Sequence, residues 1–390
     1  LSRAAFRLDA TLGRMNDTIS NLAAVLFLGT LVLGCGREPG QPSPVEPDER
    51  PGVEPRFQAL LDAEVAKPEV HNAMARVQVG DTLVFAGAAG TFSNTDATPI
   101  QPDTPFRSAS VGKLFTSTVV LQLVEQGKLS PEQTLGELLP RAVWERLHML
   151  NGVSRGGELT VEQLVAHTTG LPDVDSDPAF NGAVAAEPER VWEPEELLEF
   201  AIAIGPDFAP GEGQVYSSAN YWLLGLVIEA VTGKEYHRVV REQILDRLGL
   251  ASTFEETHEG PGPRPLAHSY IGDLDVNLAS PSFEFADGGF VSTLADLSRF
   301  GRALGRGELF TRPETLEAML TSRGSMNIGL GAWLGEAPLA SGRTSFFYHP
   351  GYWGVGLFVF PEKDTVIAYT VNQAQTDVSE LLSGLAAALP

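Results

Sequence analysis

The sequence predicts an α+β protein in which both ends of the chain contribute to one sheet while the middle forms a helical lobe. Three observations carry that expectation. Near the start, two apolar runs at about 73–79 and 82–88 flank Gly80-Asp81, a tight hairpin signal. Through the middle, apolar residues recur mostly at helical spacing. In the last quarter, strand-like runs at about 329–334, 345–349, 356–360 and 365–371 precede a final helical stretch near 376–389.

Size and composition set the outer bounds. A chain of 390 residues, 43% hydrophobic and 20% charged, can bury a large core as one domain or two lobes. A net charge of −23 repels phosphates, which argues against a nucleic-acid partner. The single cysteine excludes an internal disulfide. The seven histidines include no His-x-x-x-His or Cys/His cluster, so neither a zinc site nor any other cofactor is expected.

Residues 1–35 stand apart from the fold. The run 22–34 is apolar or small throughout, too short to span a bilayer and suited to the hydrophobic part of a signal peptide. It ends in Leu31-Val32-Leu33-Gly34-Cys35, which resembles a bacterial lipobox, so cleavage after Gly34 and a lipid on Cys35 are expected, outside the cytoplasm. Residues 36–55 hold six prolines and no apolar periodicity, and read as a tether. The folded domain, 56–390, opens with an amphipathic helix carrying Phe57, Leu60, Leu61 and Val65.

After the hairpin comes Phe106-Arg107-Ser108-Ala109-Ser110-Val111-Gly112-Lys113, leading into a strongly apolar helix that stops at Gly127. Residues 131–139 suggest a short helix and loop. Residues 159–172, ending in His167-Thr168-Thr169-Gly170-Leu171-Pro172, read as a capped helix closed by a Gly/Pro turn. Acidic helical and loop material fills 173–208. Val215-Tyr216-Ser217-Ser218 leads into a very apolar helix, about 220–232, stopped by Gly233. Asp287-Gly288-Gly289 approaches another helix, with Ser292 or Thr293 as its cap.

Ser110 and Lys113 form the only Ser-x-x-Lys tetrad in the chain. That spacing places both side chains on one helix face, with the positive end of the helix beside the serine. A lysine so placed can accept the serine proton if burial lowers its amine from about 10.4. On the tetrad alone, an ordinary N-terminal serine with an exposed lysine would fit as well.

Taken together, the ordered landmarks Ser110-x-x-Lys113, His167-Thr168-Thr169-Gly170, Tyr216-Ser217-Ser218, Gly288-Gly289 with Ser292-Thr293, and His349-Pro350-Gly351 resemble the serine β-lactamase and penicillin-binding-protein superfamily. They look closest to its branch of class C β-lactamases, D-alanyl-D-alanine carboxypeptidases and related esterases, over about residues 56–375. The resemblance implies a β-lactamase/transpeptidase-like fold: a mainly antiparallel sheet flanked by helices, a helical lobe, and an active cleft between them. It implies Ser110 as the acylated nucleophile, Lys113 as its proton acceptor, and Tyr216 as a proton relay, which a phenol can be only if the neighbouring ammonium draws it toward the working range. It implies an oxyanion hole from the backbone N–H groups of Ser110 and Tyr352.

His349 stands where the family has lysine, so a group titrating near 6.5 replaces a permanent cation at a substrate-facing position. Gly351 would let substrate approach the strand. His167 is expected to fix the loop after its helix. Ser218 stands where the family's Tyr-x-Asn has asparagine, a shorter substrate-binding group. Tyr352-Trp353 follow where smaller residues are usual, either narrowing the cleft or packing into the core.

The resemblance therefore implies a serine hydrolase acting on an amide or ester, with β-lactams or peptidoglycan D-Ala-D-Ala peptides as the family's usual substrates; the lipobox adds a lipid anchor, and a monomer is expected. An esterase of the same type, or a penicillin-binding sensor that does not turn over, are the alternatives. A rival Gly-x-Ser-x-Gly pattern, Gly152-Val153-Ser154-Arg155-Gly156, has no apolar strand before it and no helix directly after it, so it reads as a connection rather than a nucleophile elbow.

Overall fold

The computed structural model of the chain describes residues 53–260, 262, 264–339 and 342–386. The signal-peptide and lipobox reading, Cys35 included, and nearly all of the tether lie outside the described residues. One boundary moves. The first helix, α1 (Val53–Val65), already contains residues assigned to the tether, because Pro55 sits in its first turn, where a missing N–H costs no hydrogen bond.

The helix leads into a hairpin of β1 (Asn72–Val79) and β2 (Thr82–Gly90). A short strand, β3 (Phe106–Arg107), precedes the 3₁₀ turn Ala109–Gly112 and helix α2 (Lys113–Glu125). The helical middle follows as α3 (Val161–Val165), α4 (Pro178–Ala186), α5 (Pro194–Ile204), α6 (Ser218–Thr232) and α7 (Tyr236–Val240). Helix α3 begins at a capping box in which Thr160 and Gln163 satisfy each other's backbone N–H groups. Residues 152–156 fold as part of a small two-stranded hairpin with Ser154 exposed, so the rival motif makes no elbow.

Strand β4 (Phe254–Glu255), helix α8 (Glu256–Glu259), helix α9 (Phe285–Gly288), strand β5 (Phe290–Ser292) and helix α10 (Leu294–Gly305) complete the lobe's return to the sheet. Thr293 caps α10, its side chain accepting from the Asp296 N–H. Then come β6 (Trp333–Leu339), β7 (Gly342–Gly351), β8 (Val355–Phe360), β9 (Thr365–Thr370) and helix α11 (Ser379–Ala386). The first of these strands starts later than expected, since the chain is still turning at Gly331, where φ is +86°.

The main sheet is six-stranded and antiparallel in the order β6-β7-β8-β9-β1-β2, so the two ends of the chain meet where β9 pairs with β1. Strands β8 and β9 are buried along their whole length. Val355, Leu357, Val359, Val366 and Ala368 face the larger core with α10, while Phe358, Phe360, Ile367 and Tyr369 face the smaller one with α1 and α11. Covering both faces is what makes these strands read as continuous apolar runs. Among the described residues no helix is long and apolar enough to cross a membrane.

Candidate active site

Every residue from Thr104 to Leu123 is buried except Ser110. The turn that presents it is pinned from behind. Strand β3 pairs with β5, and Ser108 donates both its N–H and its hydroxyl to the Phe290 carbonyl, each at 2.8 Å. Ala109 takes a left-handed φ of +46°, a conformation that surrounding structure must impose on a residue with a Cβ. Gly288 packs directly on this turn: a Cβ there would lie 2.8 Å from the Ala109 carbonyl carbon.

Lys113 is completely buried, with its ammonium 3.2 Å from the Ser110 hydroxyl. The expectation of a lowered amine pKa fails. Burial is the largest single influence and presses it down, but the Asp287 carboxylate 3.0 Å away, Tyr216 and Asp175 together outweigh it, so the ammonium is held well above the usual lysine range. The Asp287 carboxyl is likewise raised, up to about 6, by its own burial against the pull of Lys113. The two form one buried pair, with Asp287 on one side of the ammonium and Ser110 on another.

Tyr216 joins them. The Lys113 ammonium lies 4.9 Å from its ring centre, and both Lys113 and Ser110 act on its phenol. Burial exceeds their pull, so the phenol is pushed up to about 12 instead of toward neutrality. His167 holds Tyr216 in place as a stacked neighbour, ring centres 4.5 Å apart, while its Nδ1 accepts from the Ser217 N–H at 3.2 Å. Burial keeps that imidazole neutral, which it must be to accept a hydrogen bond.

Across the cleft, β6 begins at Trp333 opposite Tyr348, so His349–Gly351 extend past it with β8 alone as a paired neighbour. His349 is buried, its Nδ1 is 2.8 Å from the Pro350 carbonyl, and burial with the nearby Lys113 pushes its pKa down to about 3. It is therefore a neutral hydrogen-bonding group and not a titrating switch, because two costs of charging it act together. Gly351 also has a different reason from the one expected. A Cβ there would meet the Ser108 carbonyl at 2.8 Å, so its smallness lets the strand lie against the nucleophile turn.

Trp353 packs into the core and donates Nε1–H to Glu284 at 3.1 Å, while Tyr352 is half-buried and lies within the influence of Asp173 and Asp175. Ser218 is fully buried. Its hydroxyl donates to Asp175 at 2.8 Å, so it serves the carboxylates beside Lys113 rather than presenting itself to a substrate.

Sequence reasoning left Asp173, Asp175, Asp287 and Glu284 without roles, although burial and then Asp175 raise Asp173 to about 7, and burial and then Asp287 raise Glu284 to about 8. Asp287 did carry a signal: it precedes the glycine pair, and Gly288 exists to bring that segment against the serine turn.

Known proteins share sequence and fold with this chain. A family model described as Beta-lactamase matches residues 57–389. The solved structure of a D-stereospecific amidohydrolase from Streptomyces sp. superposes with a TM-score of 0.72 at 28% identity, covering 84% of this chain and 97% of that one. The hydrolase M10 of Phoma sp. is 27% identical over 328 residues, 73% of this chain and 52% of the relative. Penicillin-binding protein 4 of Amycolatopsis lactamdurans is 25% identical over 223 residues, 55% of this chain and 54% of the relative. The chain spans about half the length of these curated relatives.

Proposed function

The chain belongs to the Beta-lactamase family, and on that footing we propose that it is a serine hydrolase cleaving an amide or ester through an acyl-enzyme on Ser110. One observation carries the reading: the sole accessible hydroxyl in a buried stretch sits 3.2 Å from a buried lysine that is itself paired with an acid.

In the resting site Lys113 donates toward Ser110. It becomes an acceptor when its own proton moves to Asp287, a transfer between groups 3.0 Å apart that turns a buried ion pair into a neutral one. Ser110 Oγ then attacks the substrate carbonyl carbon and its proton passes to the amine. The backbone N–H groups of Ser110 and Tyr352 receive the oxyanion. Tyr216, still protonated, donates to the leaving group, which departs with that proton as amine or alcohol. Water, losing its proton to the same cluster, releases the acid and restores Ser110.

β-Lactams and D-Ala-D-Ala peptides, the family's usual substrates, carry a carboxylate. The residues favour a substrate without one. His349 is neutral, Pro350 offers neither hydroxyl nor N–H, and the two cations acting on the carboxylate cluster, Lys113 and Arg107, are already paired with Asp287 and Glu256. Likeness to an enzyme named D-stereospecific amidohydrolase supports an amide as the substrate.

The deciding experiment is intact-protein mass after incubation with a penicillin, an activated ester and an amino-acid amide. The ester and the amide are expected to be turned over, with a transient Ser110 adduct from the ester and little adduct from penicillin. A persistent penicillin adduct would shift the reading to a penicillin-binding peptidase or sensor, and no adduct from any of the three would remove it.

The lipobox pattern and the Pro-rich stretch after it support a lipid-anchored protein outside the cytoplasm. Cys35→Ser is expected to move the protein from the membrane fraction to the soluble one; unchanged fractionation would refute the anchor.

A further inference from the structure

Away from the cleft, the fold brings His237 of α7 beside Glu255 of β4 and His258 of α8, which lie three residues apart in the sequence. Each offers a ligand atom, and these atoms lie within 4.8 Å of one another. The geometry points to a divalent-cation site formed by His237, Glu255 and His258, of the borderline class to which Zn²⁺ belongs.

The donor set comes first. Two imidazoles and one carboxylate suit Zn²⁺, and leave a position for water or another ligand. Bonds of ~2.0–2.2 Å place tetrahedral ligands about 3.3 Å apart, so separations of up to 4.8 Å must close while the 2.8 Å contact of His258 with Glu255 opens, and His258, at 46% exposure, has room to move.

The second observation is independent. Glu255 is 1% exposed, yet its Oε1 is buried with no hydrogen-bond partner among the described residues, a costly arrangement for a carboxylate. Its other oxygen is already engaged, accepting from the His258 N–H and lying 2.8 Å from His258 Nδ1. The imidazoles of His237 and His258 are stacked, ring centres 4.9 Å apart, an arrangement unfavourable for two cationic rings; binding one ion through both requires the exposed His258 ring to turn out of the stack. A cavity of about 210 Å³ lined by Glu229, Glu255, Thr257 and His258 gives an ion and its water a way in.

The site would act as a tie behind the nucleophile. Tyr236, next to His237, hydrogen-bonds Thr116 of α2 at 2.6 Å. Glu255 pairs with Phe290, whose carbonyl anchors Ser108, and Glu256 donates to the Gly289 carbonyl at 3.0 Å, beside Asp287. A bound ion would thus brace together the segments that hold the Ser110 turn and the Lys113 counter-ion.

The test uses the full-length protein, stripped with chelator and titrated with Zn²⁺ alone by calorimetry and thermal unfolding. One equivalent is expected to bind and raise the Tm. His237→Ala, Glu255→Gln and His258→Ala should each weaken binding at least tenfold and abolish the Tm rise, while His268→Ala, whose histidine pairs with Asp275 elsewhere, should change neither. Co²⁺ should give the absorption of a four- or five-coordinate nitrogen/oxygen site. Absence of saturable binding near one equivalent would overturn the site. So would binding that survives His258→Ala, an exposed position where misfolding is not the explanation.

Discussion

Ser110→Ala is expected to lower kcat by about 10⁴-fold or more on any substrate the protein turns over, the scale seen when a nucleophile is removed. The fold should barely respond. The hydroxyl is the one accessible group in its stretch, and its named partner is the Lys113 ammonium at 3.2 Å, so a stability change of about 1 kcal/mol or less is expected. Because Ser110, Lys113 and Tyr216 share one proton network, their losses should not add. The double variant Ser110→Ala/Tyr216→Phe should be no slower than Ser110→Ala by itself. Steady-state kinetics on the three proteins, with circular-dichroism melts, decide the matter. Turnover retained by Ser110→Ala would end the mechanism, and a double variant slower by a further large factor would place Tyr216 in a separate role.

The second large effect concerns pH and stability. Glu284 is buried, and burial followed by the nearby Asp287 charge pushes its carboxyl from 4.5 up to about 8. Between those two values the unfolded chain releases this proton and the folded protein keeps it. The folded state then binds more protons, so stability falls as pH rises from about 4.5 to 8, and levels off above. The slope is about 1.4 kcal/mol per pH unit for one such group, on the order of 3 kcal/mol across pH 5–8. Asp173 and Asp287 push in the same direction below about 7 and about 6.

Glu284→Gln keeps an oxygen for the Trp353 N–H and removes the titration. Its Tm should match wild type near pH 5 and exceed it increasingly toward pH 8. Parallel Tm–pH curves for the two proteins would show that Glu284 is ionised in the fold after all.

How far the sequence reached depended on what kind of information each feature needs. The hairpin, the helix stops and the buried strands were legible because turn chemistry and apolar runs are local. Ser110, Lys113 and Tyr216 were legible as ordered landmarks, and the fold brings them together. The protonation of that site was not. Burial of Lys113 was the one influence the sequence suggested, and the opposing charge comes from Asp287, distant in sequence and delivered by the close packing of Gly288 on Ala109. The same holds for Gly351, whose neighbour is the Ser108 carbonyl and not a ligand. His237, Glu255 and His258 escaped notice because the Glu255/His258 pair, three residues apart, stands alone in the sequence until the fold brings His237 of another helix beside it.

The pairing of β1 with β9 bears on how the protein reaches its native state. Met74 lies opposite Thr370, so the hairpin made first during synthesis waits for strands made last. Until β6–β9 arrive, one side of β1 is an open row of N–H and C=O groups beside apolar side chains. Such long-range closure is slow and leaves the growing chain prone to wrong partners. Ser110 is held in its turn by β5 and by Gly351 of β7, so the nucleophile is not set until the C-terminal strands have docked. A nascent chain of this kind would stay catalytically silent through nearly all of its synthesis and any passage across a membrane, acquiring activity only when its last strands close the sheet.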